Sequence, residues 1–354
     1  MKIGILTFHN AINLGAVLQA YALNYYIEKN IGQCEIINFI PNSDIPRIPY
    51  ILSKNIRGIR VWLKDRELYR KEAKFKRFKS YIDISKKVYI GDQGILNSSL
   101  DYDILISGSD QIFNMTLTGN SISYYLNFFN GKKISYASSF GRKEVSEAEI
   151  KAIHSELPKF SALSVREQSA GEIIKREIGK EPQLVLDPVF LLSKHEWIAR
   201  CNEDISLPGE YIFVYSMEVS SALEQAAKYV QTQTGLPVIV VRGGGRPGLI
   251  TGMEDSACGP EEFLRYIRDA KMVITNSFHG TAFSLIFEKK FICVAHSTRN
   301  TRLDNILNLI NQRDKMIITG EENYDEKIIC GSKCISDLER YISLSKVYLQ
   351  QSVR

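Results

Sequence analysis

A histidine lies between two apolar runs in TNSFHGTAFSLIF, residues 275–287, and the chain of 354 residues contains only five histidines. The residues before it, KMVITNS, have the pattern of a buried strand, and those after it, TAFSLIFEKK, that of a helix. His279 is therefore expected where backbone N–H groups and the helix dipole favour anions. Because an imidazole titrates near neutrality, it can give and take protons there. The alternative is a hydrogen-bonded structural imidazole at a helix start.

Two other loops carry polar side chains after predicted strands. His9, Asn10, Asn13 and Gly15 follow the strand KIGILTF, and an Asn-rich turn that caps a helix is the ordinary explanation for them. The loop GSDQ supplies an acid, Asp110, which could be either a helix N-cap or a general base.

Arg166 ends the apolar strand SALSVR, and such a lone arginine often holds a carboxylate or a phosphate. A surface salt bridge is the alternative. Asp187 belongs to the segment LDP, which predicts a structural turn.

A glycine-rich loop, RGGGRPG at residues 242–248, matches the G-x-G-x-x-G spacing after a strand. Pro247 and Gly252 leave no continuous helix behind it, and no acidic residue ends a strand about 20 residues later, so we reject dinucleotide binding. The loop instead offers Arg242 and Arg246 to an anion.

Strands and helices alternate along the chain in two successive series that divide near residue 200, which predicts parallel sheets. The predicted fold class is α/β, with two Rossmann-like domains facing a cleft. We expect an N-terminal domain over residues 1–200 on the acceptor side and a C-terminal domain over residues 201–354 on the donor side. Ligands of such sheets bind beyond the carboxyl ends of the strands.

A basic segment, residues 54–79, is predicted to be a helical insertion in the first domain. It has eleven Lys and Arg against three Asp and Glu, interleaved with aromatic and apolar residues. A solvated surface helix whose aromatic side packs on the body is the favoured interpretation. The alternative is a basic, aromatic face that rests on anionic lipid or on a lipid-linked phosphate.

Composition is that of a globular protein, with 44% apolar residues, 24% charged residues and a net charge of +5. The start, MKIGILTF, lacks the pattern of a signal peptide, and six scattered cysteines suit free thiols, so we expect a cytoplasmic protein. CGSKC at residues 330–334 lacks a second ligand pair, which favours an ordinary loop over a zinc site.

Six segments resemble, in the same order, those of the polysaccharide pyruvyl transferases, over roughly residues 3–310. They are FHNAINLGAVLQAYAL, GSDQIFN, YASSFG, SVREQSA, LDPVFLL and TNSFHGTAFSLIF. The resemblance implies a glycosyltransferase-B-like fold. It also implies transfer of a pyruvyl group from phosphoenolpyruvate to two hydroxyls of a sugar, which forms a ketal on a cell-surface polysaccharide or its lipid-linked precursor.

The resemblance also implies roles for single residues. Arg166 is implied to hold phosphoenolpyruvate, His279 to be catalytic, and Asp110 to lie in an acidic loop near the cleft. Some members of the family have an arginine two residues before the histidine, where this chain has Ser277. The candidates to replace that cation are Arg242, Arg246, Arg299 and Arg302. The other candidate substrate-binding residues are Asn13, Gly15, Ser109, Gln111, Asn276, Ser277 and Gly280.

The chemistry accounts for these residue types. Phosphoenolpyruvate carries a carboxylate and a phosphate, so its pocket needs fixed cations and helix-end N–H groups. We expect His279 to be the acid that assists phosphate departure and Asp110 the base toward the acceptor. The reaction needs no redox cofactor, and the sequence shows no spacing of metal ligands.

Two other functions stay open. One is a glycosyltransferase with a nucleotide-sugar donor, and the other is a non-catalytic assembly protein that the basic segment brings to a membrane. A peripheral position at the inner membrane face would suit either the enzyme or the assembly protein. No recognisable nucleic-acid motif is present, so we expect no nucleic-acid partner.

Overall fold

A computed structural model describes residues 1–41, 58–243, 250, 252–297, 300–318 and 323–354, and side chains from residue 66 onward in the helix that begins at Gly58. The chain forms two compact units. Unit 1 consists of Met1–Ile12, Ala16–Pro188 and Ser345–Arg354, and unit 2 consists of Asn13–Gly15 and Val189–Leu344.

Unit 1 is built on a parallel five-stranded sheet with the order β3-β2-β1-β4-β5. Two short strands, β6 and β7, pair in parallel, and bridges from Ile134 to Ala162 and from Ser138 to Val165 join this pair to β5. The strands are β1 (Lys2–Leu6), β2 (Gln33–Ile40), β3 (Ile84–Ile90), β4 (Ile104–Ser107), β5 (Lys132–Ser135), β6 (Ser164–Val165) and β7 (Gln183–Leu184).

Helices connect these strands and cover the sheet. They are α1 (Leu14–Asn30), α2 (Gly58–Lys79), α3 (Gly91–Leu96), α4 (Glu147–Glu156) and α5 (Gln168–Ile178). All four residues of β4 are buried, as expected for a parallel strand with both faces covered. The strand order places β1 beside β4, and doubly wound sheets bind ligands where the order reverses in this way.

Unit 2 repeats the arrangement with the order β10-β9-β8-β11-β12-β13, parallel except for the antiparallel edge strand β13. Its strands are β8 (Ile212–Ser216), β9 (Val238–Arg242), β10 (Met253–Glu254), β11 (Met272–Thr275), β12 (Lys290–Cys293) and β13 (Ile329–Cys330). Its helices are α6 (Lys194–Ile198), α7 (Ser221–Thr234), α8 (Pro260–Asp269), α9 (Phe278–Ile286), α10 (Thr301–Leu309) and α11 (Gly331–Ser352), whose residues from Ser345 onward belong to unit 1.

Local sequence signals account for the helix ends in unit 2. Ser220 caps α7 by accepting a hydrogen bond from the Leu223 N–H, and Gly235 ends the helix in the left-handed conformation, with φ of 66°. Pro260 occupies the first turn of α8, where its missing N–H costs nothing. The predicted α/β class with Rossmann-like sheets is confirmed.

The division into units differs from the one predicted in three places, the first being that Asn13–Gly15 cluster with unit 2. Residues from Val189 onward cluster with unit 2, whereas we expected the boundary at residue 200. One reason is that Trp197 is fully buried and packs edge-to-face on Phe283, with ring centroids 4.9 Å apart. The last ten residues return to unit 1, where the Tyr348 hydroxyl donates a hydrogen bond to the Ser135 carbonyl over 2.9 Å.

The basic segment does form a helix, α2, whose last two turns pack through Phe75 and Phe78, both buried. Earlier in the helix, Leu68 is 49% exposed and Tyr69 is 70% exposed. The packed aromatic side is thus limited to the second half of the described helix. Residues 54–57 lie outside the described residues, as do the side chains of Trp62 and Leu63. Among the helices that the structure describes, none combines the length and the hydrophobicity that a membrane-spanning segment requires.

Candidate functional site

Arg166 follows β6 directly, and its side chain is 2% exposed. One guanidinium nitrogen, Nη1, donates to Asp187 Oδ2 over 2.6 Å, and the other, Nη2, donates to Asp110 Oδ1 over 3.3 Å. The pairing of β6 with β7 brings the LDP turn back beside the end of β6, which places Asp187 within reach of Arg166. The surface salt bridge considered as the alternative is therefore wrong, because the ion pair is buried.

Electrostatics keep this arginine charged. Burial alone would lower the pKa of Arg166, but the carboxylates of Asp187, Asp110 and Glu167 together raise it above its ordinary value. Arg166 Nε lies 3.9 Å from Glu167 Oε2. Removing one partner from such a buried pair typically costs about 3 to 5 kcal/mol, because the other charge stays buried.

Asp110 stands in a tight loop after β4 and has a positive φ of 78°. Its Oδ1 accepts a hydrogen bond from the Gln111 N–H over 2.9 Å, and its backbone pairs with Ser138. Aspartate tolerates the left-handed region better than most residues because its short side chain bonds locally. A turn and not a helix follows it in the described chain, so the N-cap interpretation is wrong. The side chain is 14% exposed, so it keeps some access to solvent.

The flanking residues are buried and closely packed. Thr7 Oγ1 donates to the Ser109 carbonyl over 2.9 Å, which ties the ends of β1 and β4 together. Ser109 Oγ is buried and has no hydrogen-bond partner among the described residues. The Gln111 side chain occupies the space that a Cβ on Gly141 would need, at 2.3 Å.

Glu167 is a buried acid that follows Arg166 directly and lies in none of the predicted site positions. Its Oε1 accepts hydrogen bonds from Ser139 Oγ over 2.6 Å and from the Gly141 N–H over 3.2 Å. These bonds connect the YASSFG segment to the end of β6. The sequence shows an acid directly after Arg166. An acid at that position could equally well have been exposed to solvent, so its burial was not predictable.

In unit 2, α9 begins at Phe278, three residues before the predicted start. Ser277 is the N-cap and its Oγ accepts a long hydrogen bond, 3.4 Å, from the Gly280 N–H. His279 therefore lies in the first turn of α9 and is buried. Asn276 Oδ1 accepts from the Met217 N–H over 2.8 Å, which ties the end of β11 to the end of β8.

Two glycines shape the surroundings of His279. A Cβ on Gly280 would lie 2.4 Å from Thr275 Oγ1, so only glycine fits against the end of β11. Residues 13–15 also cluster with unit 2, and a Cβ on Gly15 would lie 2.1 Å from His279 Nδ1. The imidazole is therefore packed directly against the Gly15 backbone.

Of the four arginines considered as the second cation, two are described. The Arg302 guanidinium carbon lies 5.8 Å from the centre of the Phe278 ring, at the first residue of α9. Arg242 instead pairs with Glu254 across β9 and β10, with Nε and Oε1 3.3 Å apart. Arg246 and Arg299 lie outside the described residues.

A second network joins loops at the same end of the sheet of unit 2. Glu218 Oε1 accepts from the Ser297 N–H over 2.6 Å, and its Oε2 accepts from Ser297 Oγ over 2.7 Å. His296 Nε2 lies 3.5 Å from Glu218 Oε2. Glu218 thus fixes the residues that lead from β12 toward α10. Glu218 lies in none of the recognised motifs, so its role was not predictable from the sequence.

The residues of the loop after β1 in unit 1 form hydrogen bonds that hold the loop in place. His9 is buried, with Nδ1 3.1 Å from the Thr7 carbonyl and Nε2 3.3 Å from Asn38 Oδ1. Burial lowers the pKa of His9, although both contacts oppose this. Lys79 Nζ donates to the Asn10 carbonyl over 3.4 Å.

The predicted residues therefore fall into two local groups. In unit 1 the structure brings together Arg166, Asp110, Ser109 and Gln111. In unit 2 it gathers Asn276, Ser277, His279, Gly280, Gly15 and Arg302 around the start of α9, while Arg242 pairs elsewhere. Among the described residues, no group of three or more His, Cys, Asp and Glu could hold a metal ion.

Comparison with solved structures establishes the fold. A UDP-GlcNAc 2-epimerase from Neisseria meningitidis bound to UDP-GlcNAc aligns with a TM-score of 0.51 and 7% identity, covering 99% of this chain and 94% of the other. A protein assigned as a UDP-N-acetylglucosamine 2-epimerase from Listeria monocytogenes aligns with a TM-score of 0.50 and 10% identity, covering 99% and 90%. The fold is thus of the glycosyltransferase-B-like class.

Comparison of the sequence with protein families and with curated proteins identifies the family. No curated protein matches the sequence. The family model for polysaccharide pyruvyl transferases matches residues 13–298, a range that includes Asp110, Arg166, Asp187 and His279. The chain belongs to the polysaccharide pyruvyl transferase family.

Proposed function

We propose that this protein transfers a pyruvyl group from phosphoenolpyruvate to two hydroxyls of a saccharide and so forms a cyclic ketal. The observation that carries the proposal is the direct contact between Arg166 and Asp110 at the strand ends of unit 1, in a chain of this family. A charged arginine and a partly exposed carboxylate are what a reaction between an anionic donor and a sugar hydroxyl needs.

The atoms of the reaction balance without water or redox chemistry. One hydroxyl oxygen bonds to the central carbon of phosphoenolpyruvate while the methylene carbon gains a proton and becomes a methyl group. The second hydroxyl oxygen then bonds to the same carbon, the bond to phosphate breaks, and phosphate leaves with the second proton. Each step moves one proton, and positioned acids and bases typically speed such steps by about 10² to 10⁴.

Two side chains take the proton-transfer roles in this proposal. His279 is the acid and assists phosphate departure, because the first turn of α9 favours an anion next to the imidazole. Asp110 is the base toward the acceptor hydroxyl, because its loop holds the carboxylate in one orientation. Arg302, beside Phe278, supplies the cation that other members carry at the position of Ser277.

Arg166 has two unequal contacts, and the difference suggests its role. The bond to Asp187 is short and buried, whereas the bond to Asp110 is 3.3 Å long and partly exposed. We propose that the donor carboxylate replaces Asp110 on Nη2 while Nη1 stays on Asp187. The charge of the arginine then remains compensated. Asp110, no longer beside a bonded cation, becomes a stronger base.

Thermal denaturation with candidate donors tests this choice of donor. A donor that binds only the folded protein stabilises it by RT ln(1 + [L]/Kd), or about 2.7 kcal/mol at a hundredfold excess over Kd. Phosphoenolpyruvate is expected to raise the melting temperature, and UDP-sugars are not. The reverse result would support a nucleotide-sugar glycosyltransferase, for which the likeness to the epimerase bound to UDP-GlcNAc is the one observation in favour.

We also propose that the acceptor is lipid-linked and that helix α2 meets the membrane on its cytoplasmic side. Charged phosphoenolpyruvate does not enter a bilayer, so the enzyme must work where the donor is made. Exposed Leu68 and Tyr69 lie next to Arg70 and Lys71, a combination that suits an anionic lipid surface.

Vesicle flotation tests this second proposal. The protein is expected to bind vesicles that contain anionic phosphatidylglycerol, less so as salt rises, and to bind neutral phosphatidylcholine weakly. The variants L68S/Y69S and R70Q/K71Q should reduce binding, and V347S, at another exposed apolar position of unit 1, should not. Equal binding by the wild type and the three variants would show that α2 does not contact the membrane.

A further inference from the structure

Asp187 is among the most completely buried carboxylates in the described chain, with 0% of its side chain exposed. The segment that carries it, between β7 and a 3-10 helix at Pro188–Leu191, is fixed at both backbone polar groups of the preceding residue. The Leu186 N–H donates to Ser345 Oγ over 2.9 Å, and the Tyr136 hydroxyl donates to the Leu186 carbonyl over 3.2 Å. Tyr136 and Ser345 are themselves buried, so the position of Asp187 is set by packed groups.

A turn alone does not require this acid. The role predicted from LDP was only structural, yet the carboxylate points at Arg166, which also reaches Asp110. Burying an ion pair costs desolvation and rarely adds stability compared with an apolar pair. A buried charge held this firmly is therefore better explained by what it does to Arg166.

We infer that Asp187 is a positioning residue, which holds Nη1 so that the Nη2 edge of Arg166 is presented to Asp110 and to the anionic donor. This inference rests on the proposed function, because it assigns a consequence for donor binding. Asp187 itself touches neither donor nor acceptor. Its negative charge still compensates Arg166 when Asp110 is displaced. This lowers the free-energy cost of replacing Asp110 by the donor carboxylate.

Loss of that charge should act on donor affinity. In D187N, the amide keeps the size of the side chain, and the negative charges that remain beside Arg166 among the described residues are those of Asp110 and Glu167. Arg166 then holds Asp110 more tightly, and the donor must compete against that stronger contact. The expected consequence is weaker donor binding with a smaller effect on the rate at saturation.

Steady-state kinetics with phosphoenolpyruvate measures this split. For D187N we expect KM for the donor to rise about tenfold to a hundredfold, the range set by one charge-assisted hydrogen bond, while kcat changes by less than about threefold. The matched control is E149Q, because Glu149 is also fully buried and bonded to an arginine, Arg142, over 2.6 Å. E149Q should lose stability without a change in KM.

Different results of these experiments would contradict the proposed function and the role inferred for Asp187. A wild-type protein that releases no phosphate from phosphoenolpyruvate with any acceptor contradicts the proposed function. An active wild type in which D187N and E149Q have the same donor KM overturns the role of Asp187. If D187N does not fold, Y136F loosens the same turn by one hydrogen bond. A donor KM unchanged in Y136F would then overturn the inference.

Discussion

His279 is held by close contact with a backbone, and this makes its position sensitive to a single methyl group. A Cβ on Gly15 would come within 2.1 Å of Nδ1, 2.4 Å of Cε1 and 2.8 Å of Cγ of the ring. The imidazole is buried, so it cannot swing away without moving its neighbours. In the proposed mechanism His279 transfers a proton, which depends steeply on distance, so a displaced ring should lower the reaction rate.

We therefore expect G15A to lower kcat for ketal formation by about a hundredfold, the typical effect of displacing a reacting group by about 1 Å. The control is G94A in α3, where a Cβ would make only ordinary contacts, the nearest at 3.7 Å. Phosphate release from phosphoenolpyruvate measures both. A G15A enzyme with the rate of wild type would show that the imidazole position does not limit the reaction.

His9 should give the fold a dependence on pH. Burial lowers its pKa below the ordinary value of 6.5, so at slightly acidic pH the unfolded chain binds a proton that the folded chain refuses. The stabilisation is complete above about pH 6.5 and is lost as pH falls from there toward the lowered pKa.

The variant H9N is expected to reduce this slope, which for one proton is at most about 1.4 kcal/mol per pH unit. Urea unfolding at a series of pH values between about 5 and 7.5 measures the free energy of unfolding of both proteins. Identical slopes in H9N and wild type would mean that another group carries the pH dependence.

At the scale of single elements, helix α9 depends on a glycine in its first turn. A Cβ on Gly280 would collide with Thr275 Oγ1, which donates to the Tyr215 carbonyl over 2.8 Å and accepts from the Ser277 N–H over 3.0 Å. Added volume would therefore disturb the connection between β11 and α9.

G280A is expected to destabilise the protein by about 1 to 3 kcal/mol, as overpacking of a tight site does. G171A, in α5, makes the same change where the nearest atom would lie 3.7 Å away, and it should be neutral or stabilising by up to about 1 kcal/mol. Thermal melting compares each variant with wild type. Equal melting temperatures for G280A and wild type would show that the connection adapts without cost.

Element periodicity explains how much of the fold the sequence could predict. The apolar strands and amphipathic helices of both units repeat their patterns clearly, so their type and order were predictable. The start of α9 was not, because FHG looks like a loop until Ser277 is seen to cap it. The predicted strand SALSVR contains β6, which is only two residues long in the structure, and β7, also of two residues, is too short for periodicity to reveal.

Contacts between residues far apart in the sequence were not predictable, and this explains which site residues the sequence did not indicate. Arg166 and Asp110 were recognisable from their places at predicted strand ends. The pairing of Arg166 with Asp187 was not, because the residues are 21 positions apart and meet only through β6 and β7. Glu218 acts through a loop contact with Ser297, 79 positions away, which leaves no local signal.

At the scale of the whole molecule, the two units have sheets with the same order of strands, but they carry chemically different candidate site residues. Unit 1 carries the bonded pair Arg166 and Asp110. Unit 2 carries the histidine at the start of α9 together with Arg302. The proposed reaction assigns a proton transfer to Asp110 and another to His279, so variants of either residue are expected to impair formation of the same product.

Incubation of the protein with labelled phosphoenolpyruvate and a panel of lipid-linked and nitrophenyl sugars measures this most directly. We expect phosphate release together with label transferred to a sugar as a ketal, and a loss of about 10² to 10⁴ in rate for both D110N and H279A. Label that never reaches a sugar, or variants of either residue that keep most of the wild-type rate, would contradict the account.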